Sequence, residues 1–171
     1  DMVTDQTLCH ICQYVSGECL SFPRIGDVRA LSEWLHSRHA ARLHDKGTSE
    51  VAAVLLTAPP AAGKTTLISQ AVVLALESGE LVPIVIKVQL LPRMREASRA
   101  FAFIWNWVDA YLQLVHAEQP ALHRMLRQAL MARRALLLID GLDEGGTSRA
   151  EIERHVVEVL APQGHVMLCT S

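Results

Sequence analysis

Four short apolar runs, separated by segments with helical spacing, constrain the fold of this 171-residue chain more than any other feature. The runs cover residues 51–57, 82–90, 135–139 and 165–170. Each has the length and composition of a strand that is buried on both faces. Strands that alternate with helices favour a parallel sheet covered on both sides. We therefore expect an α/β fold with three layers.

The segments between these runs carry the start and stop signals of helices. Asp27 is placed to cap a helix that reaches about residue 44. Gly79 is placed to end a helix that covers residues 64–78, and Pro120 opens another. Helical spacing predicts one further helix over residues 99–116. The apolar faces expected for these helices are Val28, Leu31, Leu35 and Leu43; Phe101, Ile104, Trp105, Val108, Leu112 and Val115; and Leu122, Met125, Leu126, Ala129 and Leu130.

Two local signals complete this outline. Ser148 and Glu151 have the spacing of a capping box, for a helix that runs to about residue 160. Trp107 lies off the predicted core face of its helix, and this position suits either a subunit or interdomain contact or a chance exposed aromatic. Residues 1–25 show weak periodicity, so we expect an extension or linker there and a partial domain over 26–171.

The charge and the apolar content limit the kinds of partner. A net charge of −2 gives no overall field that favours nucleic acid or an anionic membrane. No apolar stretch approaches the ~18 residues of a membrane span, and no signal peptide is visible. The four cysteines do not resemble a disulfide framework. We expect a cytoplasmic protein, and a chain that starts without Met is expected to be a piece of something longer.

A loop between the first strand and the helix after it has the residues that bind phosphate groups. Backbone N–H groups in such a loop curl around phosphate oxygens, and the helix N-terminus adds its positive end. Lys64 is expected to reach the β and γ phosphates, and the Thr65 hydroxyl to bind Mg²⁺. The expected nucleotide-binding residues are Ala58, Pro59, Pro60, Ala61, Ala62, Gly63, Lys64, Thr65 and Thr66.

Alanine stands at two positions of this loop where glycine is usual. Ala58 replaces the first glycine of the pattern, and Ala61 occupies another frequent glycine position. A residue with a Cβ that is forced to positive φ costs roughly 1–2 kcal/mol. The loop is therefore expected either to be strained or to have a different backbone there.

The third apolar run ends in a group of carboxylates. Asp140 follows the strand directly, at the edge of the sheet where ligands bind in open α/β folds. It is expected to hold Mg²⁺, directly or through a water. Asp143 and Glu144 are candidate catalytic residues, since either carboxylate could orient or deprotonate a water that attacks the γ phosphate. The alternative is a solvated acidic turn after a buried strand.

Together these segments resemble NACHT domains, which belong to the STAND class of AAA+-related P-loop NTPases. The resemblance lies mainly in residues 136–144, which are similar to the family's Walker B segment, with a small residue after the aspartate and a further acidic pair. Residues 58–66 resemble the family's Walker A loop, 82–91 its second strand, and 165–171 the strand that leads to a Thr-Ser-Arg sensor. The resemblance covers roughly residues 26–171, the first part of the nucleotide-binding module.

This resemblance implies a three-layer P-loop NTPase fold and an ATP- and Mg²⁺-binding molecular switch with slow ATP hydrolysis. It also implies self-association of the full-length parent and a role in immune or cell-death signal transduction. The absence of a guanine-reading motif favours ATP over GTP. The alternatives are an AAA+-like ATPase motor, a P-loop kinase, and a scaffold whose altered loop neither binds nor hydrolyses nucleotide.

Two weaker groups of residues have open interpretations. Cys9, Cys12 and Cys19, with His10 and the histidines at 36 and 39, could supply zinc ligands, or the thiols could be free or buried. Cys169 lies in an apolar run and is expected to be a buried hydrophobe. The basic run formed by Arg93, Arg95 and Arg99 is either a solvated face or a phosphate sensor.

Overall fold

The computed structural model describes residues 27–44 and 53–171, which form a mixed α/β fold. The strands are β1 (Ala53–Leu56), β2 (Val82–Lys87), β3 (Ala135–Asp140) and β4 (Val166–Thr170). The helices are α1 (Val28–His44), α2 (Lys64–Ser78), α3 (Leu91–Ala97), α4 (Ala100–Phe103), α5 (Trp107–Val115), α6 (Pro120–Met131) and α7 (Arg149–His155). Short 3₁₀ segments cover Val88–Leu90, Leu142–Ser148 and Ala161–Gln163, and a π-helical turn covers Val156–Leu160.

The four strands form one parallel sheet in the order β1-β4-β3-β2. The inner strands β3 and β4 are buried almost throughout, which explains their continuous apolar sequences. The last strand of the chain thus lies between the first and the third. All four predicted strands are therefore present, and the parallel sheet is confirmed.

Helices cover both faces of this sheet because side chains alternate along each strand. Leu136 and Leu138 point to one face, where they pack with residues of α1 and α2. Leu137 and Ile139 point to the other face, where they pack with residues of α5, α6 and α7. Each central strand therefore contributes to two apolar clusters, one on each side.

The two helices on the first face begin and end where the sequence predicts. Asp27 caps α1, since its carboxylate accepts a hydrogen bond of 2.8 Å from the N–H of Ala30. Gly79 ends α2 in the left-handed conformation, with φ of 67°, and donates to the carbonyl of Ala75. Leu31 and Leu35 are buried as expected, whereas Leu43, which was placed on the same face, is 65% exposed.

The single helix predicted over residues 99–116 is wrong, because the chain breaks there into α4 and α5. The side chain of Asn106 caps α5 by accepting a hydrogen bond from the N–H of Val108 at 2.9 Å. Because the helix is interrupted, residues after the break no longer lie on the face that a continuous helical spacing predicts. Trp105 is consequently 68% exposed and Val115 46% exposed, although both were expected to be inward. Trp107, expected off the core face, packs against the core instead.

Three other local predictions also need correction. The second strand ends at Lys87, and Pro92 lies in the first turn of α3. Ser148 makes no side-chain cap to α7, and the carboxylate of Glu151 instead binds Arg95 at 2.5 Å, so the capping box is absent. Met125 is 48% exposed, although it was expected to be inward. Of these residues, Glu151 is taken from its predicted local partner by a contact with Arg95 of another helix.

Within the described ranges, no helix combines the length and the apolar character that crossing a bilayer requires. The predicted extension over residues 1–25 lies outside the described residues, so its separation from the domain stays a prediction.

Candidate functional site

The loop that follows β1 and the carboxyl ends of β3 and β4 meet at one edge of the sheet. Leu138 and Leu168 pack with α2, and side chains alternate along a strand. Asp140 and Thr170, two residues further along each strand, therefore point to the same face as α2. Since α2 begins directly after the loop, the sheet brings the two predicted halves of the site together.

The loop is joined to the sheet through main-chain hydrogen bonds. The N–H of Ala58 donates to the carbonyl of Ser171 at 3.1 Å, and the N–H of Ser171 donates to the carbonyl of Leu56 at 3.0 Å. Further along, the N–H of Ala62 donates to the carbonyl of Pro59 at 3.2 Å. The base of the loop is therefore held against the end of β4.

Positive φ falls on one of the two alanines that replace glycine. Ala61 has φ of 63°, whereas Ala58 is not among the residues with positive φ. Gly63, which precedes α2, has φ of 87°. The strain expected for the loop therefore lies at Ala61, where a Cβ is present in the left-handed region.

The Lys64 side chain folds back over the loop. Its ammonium donates to the carbonyl of Ala58 at 2.8 Å and lies 4.0 Å from the carboxylate of Asp143. The Lys64 side chain is 14% exposed and that of Asp143 is 39% exposed. The positive charge is thus held between the loop and the acidic segment after β3.

The Asp140 carboxylate is positioned by hydroxyl groups from two different elements. Thr65 Oγ1, at the start of α2, donates to Asp140 Oδ2 at 3.3 Å. Thr170 Oγ1 donates to Asp140 Oδ1 at 2.9 Å and accepts from the N–H of Gly141 at 2.9 Å. Thr170 is completely buried. Thr170 belongs to the segment 165–171 that resembles the strand before a Thr-Ser-Arg sensor, but its contact with Asp140 was not predicted.

The turn after Asp140 separates the two remaining acids. Gly141 has φ of 77°, and a Cβ built there would lie 2.9 Å from Cδ of Glu144. The Glu144 side chain therefore folds over Gly141, whereas Asp143 faces Lys64. Glycine is required at 141 by both its φ and this close approach. Asp143 and Glu144 are both exposed, at the open side of the site.

Two basic residues that the sequence analysis did not assign to the site also lie near it. Lys87 ends β2, opposite Asp140 in the parallel register, and alternation places its side chain on the α2 face as well. Arg149 is exposed and pairs with Glu153 at 2.7 Å. That hydrogen bond is the main reason why the pKa of Arg149 is raised, and the charge of Asp143 adds to it. Lys87 could have been found as a basic residue inside an apolar run, and Arg149 as a basic residue that follows the acidic turn.

The other candidate residues do not join this site. Cys9, His10, Cys12 and Cys19 lie outside the described residues, so zinc binding there stays a prediction. His36 hydrogen-bonds to the Ser32 carbonyl at 2.7 Å and the Ser78 hydroxyl at 2.7 Å. Over residues 27–44 and 53–171, no group of three or more His, Cys, Asp or Glu side chains could hold a metal by itself. Cys169 is buried as expected, and burial raises the pKa of its thiol to about 12.

The predicted basic run is divided between different environments. The guanidinium of Arg95 binds Glu151 at 2.5 Å and lies 4.2 Å from the ring centre of Trp107. His155 stacks on the same ring, with 4.0 Å between the ring centres. Arg95 is therefore part of a packed side-chain cluster between α3, α5 and α7, whereas Arg93 and Arg99 are exposed.

In comparisons with known proteins, the chain matches no protein-family model, and no curated protein matches it either.

Proposed function

We propose that this chain is part of a P-loop nucleotide-binding domain that binds ATP with Mg²⁺ and acts as a molecular switch. The observation that carries the proposal is the 3.3 Å contact between Thr65 and Asp140, residues that are 75 positions apart in the sequence. A hydroxyl at a helix N-terminus and a carboxylate at a strand end are the two protein ligands that Mg²⁺-nucleotide sites of this type use.

The phosphate groups would lie against the loop and the N-terminus of α2. The main-chain N–H groups around Gly63 and the positive end of the helix suit an anion. Lys64 already reaches over the loop, so exchanging the Ala58 carbonyl for a phosphate oxygen requires only a change of side-chain rotamer. The parallel sheet, the loop and α2 support a three-layer P-loop fold as part of this proposal.

Thr65 and Asp140 would hold the magnesium ion. Mg²⁺ keeps several waters and needs only one or two protein carboxylates besides phosphate oxygens. A single carboxylate with a neighbouring hydroxyl therefore fits this metal, even though the described residues lack a cluster of three ligands. When bound, Mg²⁺ neutralises charge on the phosphates. Thr170 keeps the Asp140 carboxylate oriented through its hydrogen bond to Oδ1.

Asp143 and Glu144 would act in slow hydrolysis. Both lie on the open side of the site, where a carboxylate can orient an attacking water. Asp143 pairs with Lys64 at 4.0 Å, so it would be released when Lys64 turns to the phosphates. We therefore propose that Asp143 orients the attacking water and that Glu144, which lies over Gly141, supports Asp143 in this role.

One observation favours a second function, a scaffold that binds no nucleotide. Lys64 is already satisfied by the Ala58 carbonyl and faces the Asp143 carboxylate. Ala61 adds a strained position to the same loop. The rivals that depend on catalysis, an ATPase motor and a P-loop kinase, lack such a supporting observation. The NACHT resemblance favours the switch, with self-association and signalling in the full-length parent.

Binding of ATP to purified protein tests the proposal. Lys64→Ala should weaken ATP binding at least ~10-fold, because it removes the charge that meets the β and γ phosphates. Asp140→Asn should weaken mainly the Mg²⁺-dependent part of the binding. Asp143→Asn and Glu144→Gln should leave binding nearly intact and slow single-turnover hydrolysis in the longer parent protein.

The matched control is Arg124→Ala, which removes an exposed cation on α6. Calorimetry with ATP, with and without Mg²⁺, gives the affinities, and circular dichroism checks that each variant is folded. Equal ATP affinity in wild type and Lys64→Ala would contradict the nucleotide site. No measurable ATP binding by the wild type would favour the scaffold.

A further inference from the structure

A second group of polar side chains lies at the edge of the sheet opposite the candidate nucleotide site. Arg42 is near the end of α1, Arg133 precedes β3, and Gln163 and His165 precede β4. We call these four residues the amino-edge cluster. A strand of five residues spans about 17 Å, so this cluster is separate from the loop at the other end of β4.

The charges in this cluster are all of one sign. The pKa of His165 is lowered to about 4, first by burial and then by the positive charges of Arg42 and Arg133. Arg133 likewise adds to the burial that lowers the pKa of Arg42. Among the described residues, no carboxylate contributes to the pKa of either group. Within the described residues, the two guanidinium groups and the imidazole thus act on one another without a carboxylate that offsets their charge.

Buried nitrogen atoms in the cluster also lack hydrogen-bond partners. Arg42 Nη1, Gln163 Nε2 and His165 Nδ1 are shielded from solvent, and none has a partner within the described part of the chain. His165 itself is only 5% exposed. Such buried, unpaired polar atoms are uncommon in folded proteins and call for an explanation.

The surrounding contacts fix the orientation of these groups. Gln163 Oε1 accepts from Asn106 Nδ2 at 2.9 Å and lies 3.3 Å from His165 Nε2, which leaves the amide nitrogen of Gln163 unpaired. Gly164 has φ of 73°, and a Cβ there would lie 2.7 Å from Arg42 Nη2. The glycine thus allows the guanidinium to lie against the turn before β4.

We propose that the amino-edge cluster binds a small tetrahedral oxyanion such as inorganic phosphate. Guanidinium and amide N–H groups both donate, and an arginine fork matches the spacing of phosphate oxygens. A protonated His165 would add a third type of donor. The oxyanion supplies the negative charge and the acceptors that the cluster lacks. Arg133, which is exposed, adds positive charge to the cluster from the surface of the chain.

Titration with inorganic phosphate at constant ionic strength, with chloride as the reference anion, tests this site. The Lys64→Ala background weakens phosphate binding at the candidate nucleotide loop, and arginine variants of the amino-edge cluster made in this background separate the two sites. We expect saturable binding in calorimetry. We also expect phosphate to raise the pKa of His165 in an NMR titration of the imidazole, because it opposes the charges of Arg42 and Arg133.

Charge-removing variants locate the binding. Arg42→Gln and Arg133→Gln should each weaken phosphate binding at least ~10-fold, since a charge-assisted hydrogen bond is lost. Arg124→Gln, which removes an exposed arginine elsewhere, should have no effect. If Arg42→Gln does not fold, phosphate binding by Arg133→Gln decides the result, because Arg133 is exposed and its substitution should not disturb folding.

The site is overturned if phosphate does not bind saturably, if chloride shifts the His165 titration as much as phosphate, or if Arg133→Gln binds phosphate as well as the parent. Phosphate binding that persists in the Lys64→Ala background and weakens when Arg133→Gln is added, whatever the fate of ATP binding, supports the site. A failure of the proposed nucleotide function therefore leaves the result of this experiment unchanged.

Discussion

At the scale of single residues, the hydroxyl of Thr170 connects the strand end with the acidic turn. It donates to Asp140 Oδ1 and accepts from the N–H of Gly141. Both contacts are made by a side chain that is completely buried. Removing the hydroxyl would leave a carboxylate less oriented and a main-chain N–H without an acceptor, at a cost of about 1–3 kcal/mol.

Thr170→Val keeps the shape of the side chain and removes this hydroxyl. We expect the free energy of unfolding to fall by about 1–3 kcal/mol and the Mg²⁺-dependent part of ATP binding to weaken. Thr170→Ser retains the hydroxyl and should stay close to wild type in ATP binding. Urea unfolding and calorimetry measure the two effects. Wild-type behaviour of Thr170→Val in both assays would show that the hydrogen bonds have no role.

Ala61 gives a second prediction at this scale, because it has positive φ whereas Ala58 does not. Ala61→Gly relieves roughly 1–2 kcal/mol of strain, which offsets the about 0.4–1 kcal/mol that glycine costs through the unfolded chain. ATP binding should tighten or stay unchanged. Ala58→Gly is the matched control, since it adds the entropy cost without relief of strain. Weaker binding by Ala61→Gly, measured by calorimetry, would mean that the loop has adapted to alanine.

At the scale of elements, the break between α4 and α5 decides which aromatic residues reach the core. Asn106 ends the first helical phase and caps the next helix. Trp107 then packs in edge contact with Phe101, with 6.4 Å between the ring centres, and stacks on His155. The cap therefore positions the side chain that links α5 to α3 and α7.

Substitution of Asn106 tests the importance of this break. Asn106→Ala removes both the cap to Val108 and the contact with Gln163, so we expect a loss of about 1–2 kcal/mol in unfolding free energy. Asn106→Asp keeps the acceptor for the cap but loses the donor to Gln163. Its free energy of unfolding should therefore lie between those of the wild type and Asn106→Ala. Chemical denaturation gives this order. Equal stability of Asn106→Ala and wild type would mean that the packing of Trp107 alone sets the break.

At the scale of the whole molecule, stability should decrease in mild acid because His165 is buried in its neutral form. Its pKa is about 4 in the folded protein and 6.5 in the unfolded reference. Between these values the unfolded state binds more protons, so the free energy of unfolding falls as the pH falls from 6.5 towards 4. His155, whose pKa is also lowered to about 4 by burial first and Arg95 second, acts in the same direction.

For His165 alone, linkage gives a loss of about 2 kcal/mol between pH 7 and pH 5. Urea unfolding at both pH values, in a phosphate-free buffer, measures the difference. His165→Asn should reduce the pH dependence by about this amount, whatever its effect on stability at pH 7. An unchanged pH dependence in His165→Asn would assign the acid sensitivity to other groups, with His155 the next to test.

The sequence predicted much of the fold because many of its signals are local. Asp27 caps α1, Gly79 ends α2 and Pro120 starts α6, since each of these effects acts within one or two turns of its own residue. The continuous apolar strands likewise predicted burial on both faces. The candidate phosphate loop and the candidate role of Asp140 were predicted from strand ends and helix starts, which are also local signals.

The tertiary structure alone decided which of these ends meet. The place of β4 between β1 and β3 brings Thr170 beside Asp140 and ties Ser171 to the loop, and similar apolar runs contain no information about such an order. A contact with the distant Arg95 also took Glu151 from the predicted capping box. The break at Asn106 left Trp105 exposed, and Trp107 packs on His155, 48 residues further along the chain. Local patterns fix where helices and strands form, whereas the neighbours of a side chain depend on residues far away in the sequence.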